Sequence, residues 1–286
     1  MSAEAISQWN EFEDLPRYEN PPVIETVLSV QFDPLLDSSH LGLLWHKYRD
    51  RFPTFEEKPP IKPAFEIFDR KEMIKFRQES EFTISDIPPL RRCWFIQEDK
   101  TRLIQVQNDR FIINWRKVTG NETYISYPNF FQDFQAEYDV FNSFLKQEHL
   151  TENFIVNQCE ITYVNHIHMP DGQDTHSNFN KIFSYFIPKI NRPILPVPEN
   201  SEIKFRYRIL DKDGSPLGRL HVTIEPKMKK DETNIYEMNL TCRGGPLNEN
   251  IDGITGFFNI GHVWIVNAFD ALTTKMMHEF WEKIND

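Results

Sequence analysis

The sequence has only three cysteines in 286 residues, Cys93, Cys159 and Cys242, far apart and with no CxxC pair among them. The missing CxxC pair argues against a zinc knuckle, and the sparse, odd-numbered cysteines point to a reducing compartment. Each cysteine sits in a strand-like stretch, where a buried thiol acts as a small apolar group rather than a nucleophile. No apolar run approaches the length needed to cross a bilayer. The first residues, MSAEAISQWNEFEDLP, lack the basic start and apolar centre of a signal peptide, so a cytoplasmic location is the expectation. Basic residues are in deficit, 32 Lys and Arg against 43 Asp and Glu, for a formal net charge of −11. Phosphate backbones and anionic lipid surfaces are held chiefly by Lys and Arg, so nucleic-acid and membrane partners are disfavoured. GxSxG, the Walker A loop and GxGxxG are also missing, which removes the signatures of three large enzyme classes. The balance leans away from an enzyme, and no cofactor is expected.

What the chain has in quantity is aromatic area: 24 Phe, 9 Tyr and 6 Trp, enough for a large core. Proline marks the breaks, at 16–22, 53–63, 86–90 and 188–198, which read as loops. Between them, PPVIETVLSVQFDP reads as a strand with Ile24, Thr26, Leu28, Val30 and Phe32 on one face. SSHLGLLWHKYRDRF predicts a helix capped by Ser38 or Ser39, with Leu41, Leu44, Trp45, Tyr48 and Phe52 at helical spacing. Strands are expected near 64–69 and 92–98, followed by a hairpin, RLIQVQ-ND-RFIINWR, turning at Asn108-Asp109. A long amphipathic helix then carries the stripe Phe130, Phe134, Tyr138, Phe141 and Leu145. A second series follows. It comprises the strand FIVNQCEITYVNHIH, a short helix in THSNFNKIFSYF, the hairpin EIKFRYRILDKDGSPLGRLHVTIEP and the strand IYEMNLTC. The last element is helical from about Ile251 to Trp281, with Thr273 or Thr274 re-capping its final turns.

Both series run β-α-β-β-β-α. The predicted fold class is α+β: two tandem halves, 21–150 and 151–286, share one core behind a polar segment, 1–20. Their strands form a twisted antiparallel sheet with helices packed on one face. In layout this order resembles the saddle of the TATA-binding-protein superfold.

If helices cover one face, side chains of the opposite parity form the other. That parity selects Glu25, Gln31, Gln105, Asn114, Glu160, His166, Arg206, Arg208, His221 and Asn239 as a candidate partner-binding or ligand-binding surface. A fully solvated face usually carries more Lys and Glu. Amides, imidazoles and paired charges suit a surface that is covered and must satisfy hydrogen bonds, whether by a partner or by the protein's own loops. His166 and His168 form an HxH pair that could chelate zinc only with further ligands, such as Asp171, Asp174 or His176, and no metal site is expected. Arg243-Gly244-Gly245 reads as a strand exit. The expected function is non-enzymatic binding of a macromolecular partner, most simply a protein, and a homo-oligomer is a further option. An alternative is a small-molecule or nucleotide site, with hydrolysis as a further option, using His166, His168, His221, Arg206 and Arg208. Single-stranded nucleic acid is the weakest option, given the charge.

The series PPVIETVLSVQFDP, LWHKYRDRFP, RLIQVQNDRFIINWR, QCEITYVNHI and FDALTTKMMHEFW resembles a sporadically distributed prokaryotic family of unassigned function. The resemblance runs from about Pro21 to Trp281. It implies one architecture over that span and a bacterial or archaeal origin. It implies no reaction, and a patchy distribution hints at an accessory role in defence or toxin–antitoxin biology.

Overall fold

The computed structural model describes residues 15–68, 90–151, 154–185 and 198–284. Among these, nine antiparallel strands build one sheet: β1 (Val23–Phe32), β2 (Thr54–Lys58), β3 (Arg92–Ile96), β4 (Arg102–Gln107), β5 (Arg110–Arg116), β6 (Val156–Ile167), β7 (Ile203–Leu210), β8 (Pro216–Met228) and β9 (Asn234–Gly244). Their order is β2-β3-β4-β5-β1-β6-β9-β8-β7, so strands from before and after residue 150 join through β1 and β6. The helices are α1 (Ser38–Tyr48), α2 (Tyr127–Gln147), α3 (Phe179–Ile182), α4 (Ile251–Leu272) and α5 (Lys275–Phe280). The fold is α+β with a single antiparallel sheet.

Alternation sorts the side chains. Along β1 and β6, Thr26 faces Tyr163, Leu28 faces Ile161 and Val30 faces Cys159, all of them buried. The same parity continues into Phe111 and Ile113 on β5 and Leu240 and Cys242 on β9. The long helices meet these residues. Phe141 of α2 stacks on Phe111 at 4.7 Å and lies 5.8 Å from Phe32, while Phe134 meets Phe258 of α4 edge-on at 5.1 Å. All five residues of the expected stripe on α2 are buried, as the 3.6-residue period requires. The α4 backbone comes close to the sheet at Gly261. A Cβ there would press on Ile161 Cγ2 and fall 3.1 Å from Cys242 Cβ.

Several local expectations are corrected. Asp37, not Ser38 or Ser39, caps α1: its carboxylate accepts from the Ser39 and His40 amides, and His40 Nδ1 accepts from the Asp37 amide. No strand forms at 64–68. The strand is instead Thr54–Lys58, inside the proline-rich loop, because it lies at the sheet edge and prolines flank it rather than interrupt it. A bulge between Val23 and Glu25 turns Val23, rather than Ile24, into the core. The final helical stretch is re-capped where expected: it breaks at Thr273-Thr274, both extended, Thr274 is the N-cap residue of α5, and the Thr273 hydroxyl donates to the Phe269 carbonyl. Of the expected loops at 86–90 and 188–198, only Leu90 and Pro198 fall within the described residues.

Gly261→Ala tests the closeness of α4. Alanine gains about 1 kcal/mol in helix propensity. Overpacking against a filled core costs about 1–3 kcal/mol and should win or at least cancel that gain. A lower urea midpoint is expected, and clear stabilisation would mean that α4 stands further from the sheet.

Candidate binding face of the sheet

The strand registers align the opposite-parity side chains in rows that cross the sheet. One row is Gln107, Arg110, Gln31 and Gln158. The next runs Gln105, Ile112, Ser29, Glu160, Arg243, Arg219 and Arg208. A third is Leu103, Asn114, Val27, Thr162, Thr241, His221 and Arg206. Beyond it lie Arg116, Glu25, Val164, Asn239, Thr223 and Lys204, and then His166, Glu237 and Glu225. All ten sequence-predicted residues therefore stand on one face, spread over five rows.

They are not equally available. Gln31, Gln105 and Asn114 are buried, Glu25, Glu160, His166, His221 and Asn239 are half-buried, and Arg206 and Arg208 are exposed. The cover over the first row is the chain itself. Residues 61–68 run over the face without regular secondary structure and bond to its side chains instead of pairing as a strand. The Ile61 amide donates to Gln107 Oε1 at 2.9 Å, and Gln107 Nε2 returns a bond to the Ile61 carbonyl at 2.9 Å. Farther along, the Ala64 amide donates to Gln31 Oε1 at 3.2 Å and the Glu66 amide to Gln158 Oε1 at 3.0 Å. Glutamine suits this work because one amide can accept from a crossing backbone while donating elsewhere. Arg110 lies beneath the crossing, donating to Gln31 Oε1 and, at 3.4 Å, to the Lys62 carbonyl.

The crossing ends in a charge cluster. The Glu66 side chain is only 4% exposed. Its carboxylate accepts from Arg219, from His221 Nε2 at 2.5 Å and from Arg243 Nη1 at 3.4 Å. Arg243 also donates to Glu160 at 2.5 Å, and the Arg219 guanidinium sits 4.8 Å from the centre of the Phe68 ring. A buried carboxylate is tolerable only with partners of this kind. Burial, followed by the charges of Arg243, Arg206 and Arg219, pushes the His221 imidazole down to about 4. It is therefore neutral at pH 7 and donates a hydrogen bond to Glu66.

Elsewhere the face holds a second network, in which Arg92 donates to Gln105 at 2.7 Å, Gln105 to Asn114 at 2.6 Å and Asn114 to Glu25 at 2.6 Å. Burial raises the Glu25 carboxyl, against the pull of Asn114 and Arg116. Nearby, Trp94 is surrounded by Lys58, Arg92 and Arg116, at 4.7, 5.5 and 5.7 Å from its ring centres. The two histidines of the HxH pair diverge. His166 Nε2 faces Glu237 at 3.3 Å, whereas His168, beyond the strand end, meets the Phe280 ring edge-on. His176 is engaged by the Lys227 and Ile235 carbonyls and Asp174 by Ser177; the Asp171 side chain is outside what is described. Among the described residues no group of three or more His, Cys, Asp or Glu is arranged to hold a metal ion, and no helix is long and apolar enough to cross a membrane.

No family model matches the sequence, and no curated protein matches it.

Sequence reasoning left several participants out of its ten. Arg243 could have been found by extending the alternation of β9 one step past Thr241, instead of ending the strand at the glycine pair. Gln107, Arg110 and Gln158 follow the same parity. Glu66 gave no such signal, because it lies in an irregular segment where no period assigns a side.

His221 makes the cluster pH-dependent. The unfolded chain protonates this histidine near pH 6.5 but the folded chain only near 4. Its contribution to stability is present above about 6.5 and is lost as pH falls toward 4, by on the order of 1–3 kcal/mol. Denaturant midpoints should fall between pH 7 and 4.5, with a shallower slope for His221→Gln. Equal slopes would contradict a neutral His221.

Proposed function

We propose that this protein is a non-enzymatic binding protein whose polar sheet face takes up an extended acidic segment of a protein partner. The seat of Glu66 carries the proposal. A stretch with a carboxylate at its end is held there by a row of glutamines and by an Arg219–His221–Arg243 cluster. The chemistry that satisfies residues 61–68 is the chemistry a partner segment must offer in exchange. Overall acidity favours a basic partner, but this corner is locally basic, with Arg206 and Arg208 exposed beside it. Tethering gives residues 61–68 an effective concentration of about millimolar order. The partner must therefore bring further contacts, for which Thr162, Thr241, Asn239 and the exposed arginines provide groups.

Two readings of the architecture belong to the same proposal. The chain is taken as two tandem β-α-β-β-β-α halves with helices packed on one face, the first half carrying one additional strand at the sheet edge, β2. In support, β1 and β6 lie side by side, each flanked on its outer side by the last strand of its own series, β5 or β9. The protein is also taken as a member of the sporadic prokaryotic family that its motifs resemble, acting in an accessory defence or toxin–antitoxin setting. A nucleotide site at His221 is less favoured, because the Glu66 carboxylate already occupies the positions a phosphate would need.

A labelled peptide, PPIKPAFEIF, tests the exchange. Full-length Glu66→Ala should bind it with a Kd of about 1–10 μM. Wild type, holding its own copy, should bind at least about tenfold more weakly, and so should Glu66→Ala challenged with a peptide carrying Gln in place of Glu. Folded Glu66→Ala protein that ignores the peptide, or that accepts both peptides equally, contradicts the proposal.

A further inference from the structure

On the other side of the sheet, beneath α4, a cavity of about 560 Å³ opens. Protein cores are close-packed, and cavities of a few hundred Å³ are typical of ligand sites. Its apolar wall comes from Val23, Ile265 and Phe269, and Tyr124, Tyr163 and Asn165 bring polar groups to the same space.

The polar groups are held in place. Tyr163 and His262 share a hydrogen bond at 2.8 Å between the hydroxyl and Nδ1. The His262 ring stacks on Tyr127 at 4.1 Å with only 8° between planes, and the Tyr127 hydroxyl donates to Asn259 at 2.8 Å. The two ends of the described chain close the space without filling it. The Glu19 amide donates to the Glu282 carbonyl at 3.1 Å, the Ile284 amide to the Arg17 carbonyl at 2.9 Å, and the Tyr18 hydroxyl to Asp270 at 2.6 Å. The charged side chains on the lining, Arg17 and Glu19, are exposed at the rim.

We propose that this cavity is a binding site for an uncharged, largely apolar small molecule with one hydrogen-bonding group, which the Tyr124 and Tyr163 hydroxyls meet. Inside the exposed Arg17 and Glu19, the wall offers no counter-charge. Burial holds the His262 imidazole down to about 3 and pushes the Tyr124 phenol up to about 12, the latter against the neighbouring Tyr163 and Thr26 hydroxyls. Both rings are therefore neutral at pH 7, and an ion entering would lose its hydration without compensation.

Two fluorescent probes with the same aromatic body separate the possibilities: neutral N-phenylnaphthylamine and its charged counterpart, anilinonaphthalene sulfonate. Full-length protein should bind the neutral probe saturably and one-to-one, and the sulfonate at least about tenfold more weakly. Val266→Trp, which places an indole on the cavity wall, should abolish binding of the neutral probe. If that variant fails to fold, Ile265→Phe on the same wall should weaken it. Non-saturable binding, equal affinity for both probes, or unchanged binding in a folded variant would overturn the proposal. The peptide exchange on the opposite face is unaffected by any of these outcomes.

Discussion

The antiparallel pairing of β1 with β6 is the constraint on which the rest depends. It joins the strands on either side of residue 150 into one sheet, and it sets the side to which every neighbouring residue points. Because side chains alternate with a period of two, a slip of β6 by one residue would turn Ile161 outward and bring Glu160 inward beside Leu28. Aromatic area from α2 and α4 packs on the apolar parity, so such a slip forfeits the burial that stabilises the fold. The polar rows follow from that pairing, since Gln31 and Gln158 are neighbours only in this register.

The first polar row shows how a sheet can hold a chain without lending it a strand edge. The backbone of residues 61–66 meets side-chain amides from strands β4, β1 and β6, each a neutral acceptor that turns toward a crossing N–H. Neutral bonds of this kind contribute about 1 kcal/mol each, net of water. The Glu66 cluster adds charge-assisted bonds in a half-buried corner, where they are stronger and more specific. Hydrogen bonds of this kind can be made equally well by a similar segment, which makes exchange physically reasonable.

The two faces differ in the kind of ligand their chemistry admits. On the polar face, fixed guanidinium charges favour a carboxylate and the glutamines favour extended backbone. Beneath α4, burial keeps the His262 imidazole neutral and the walls are mainly apolar. Both properties come from the same alternation: Tyr163 and Asn165 belong to the parity of the core, Thr162 and Val164 to the opposite one.

Sequence alone determined what short-range periodicity can carry. The alternation of RLIQVQNDRFIINWR placed Gln105 and Asn114 together, and the two-residue turn at Asn108-Asp109 fixed their register. The helical stripe of α2 was equally legible, because packing on one side imposes a 3.6-residue period on Phe130, Phe134 and Phe141. Only the tertiary structure decided where the irregular segments run. Glu66 lies 153 residues from Arg219 and 94 from Glu160 in the chain, and no local pattern announces a contact made across a face. The same holds for the edge strand Thr54–Lys58 and for the cavity roofed by the two ends of the described chain. Each exists because distant segments close over the sheet, a matter of topology and packing rather than of any residue's own preference.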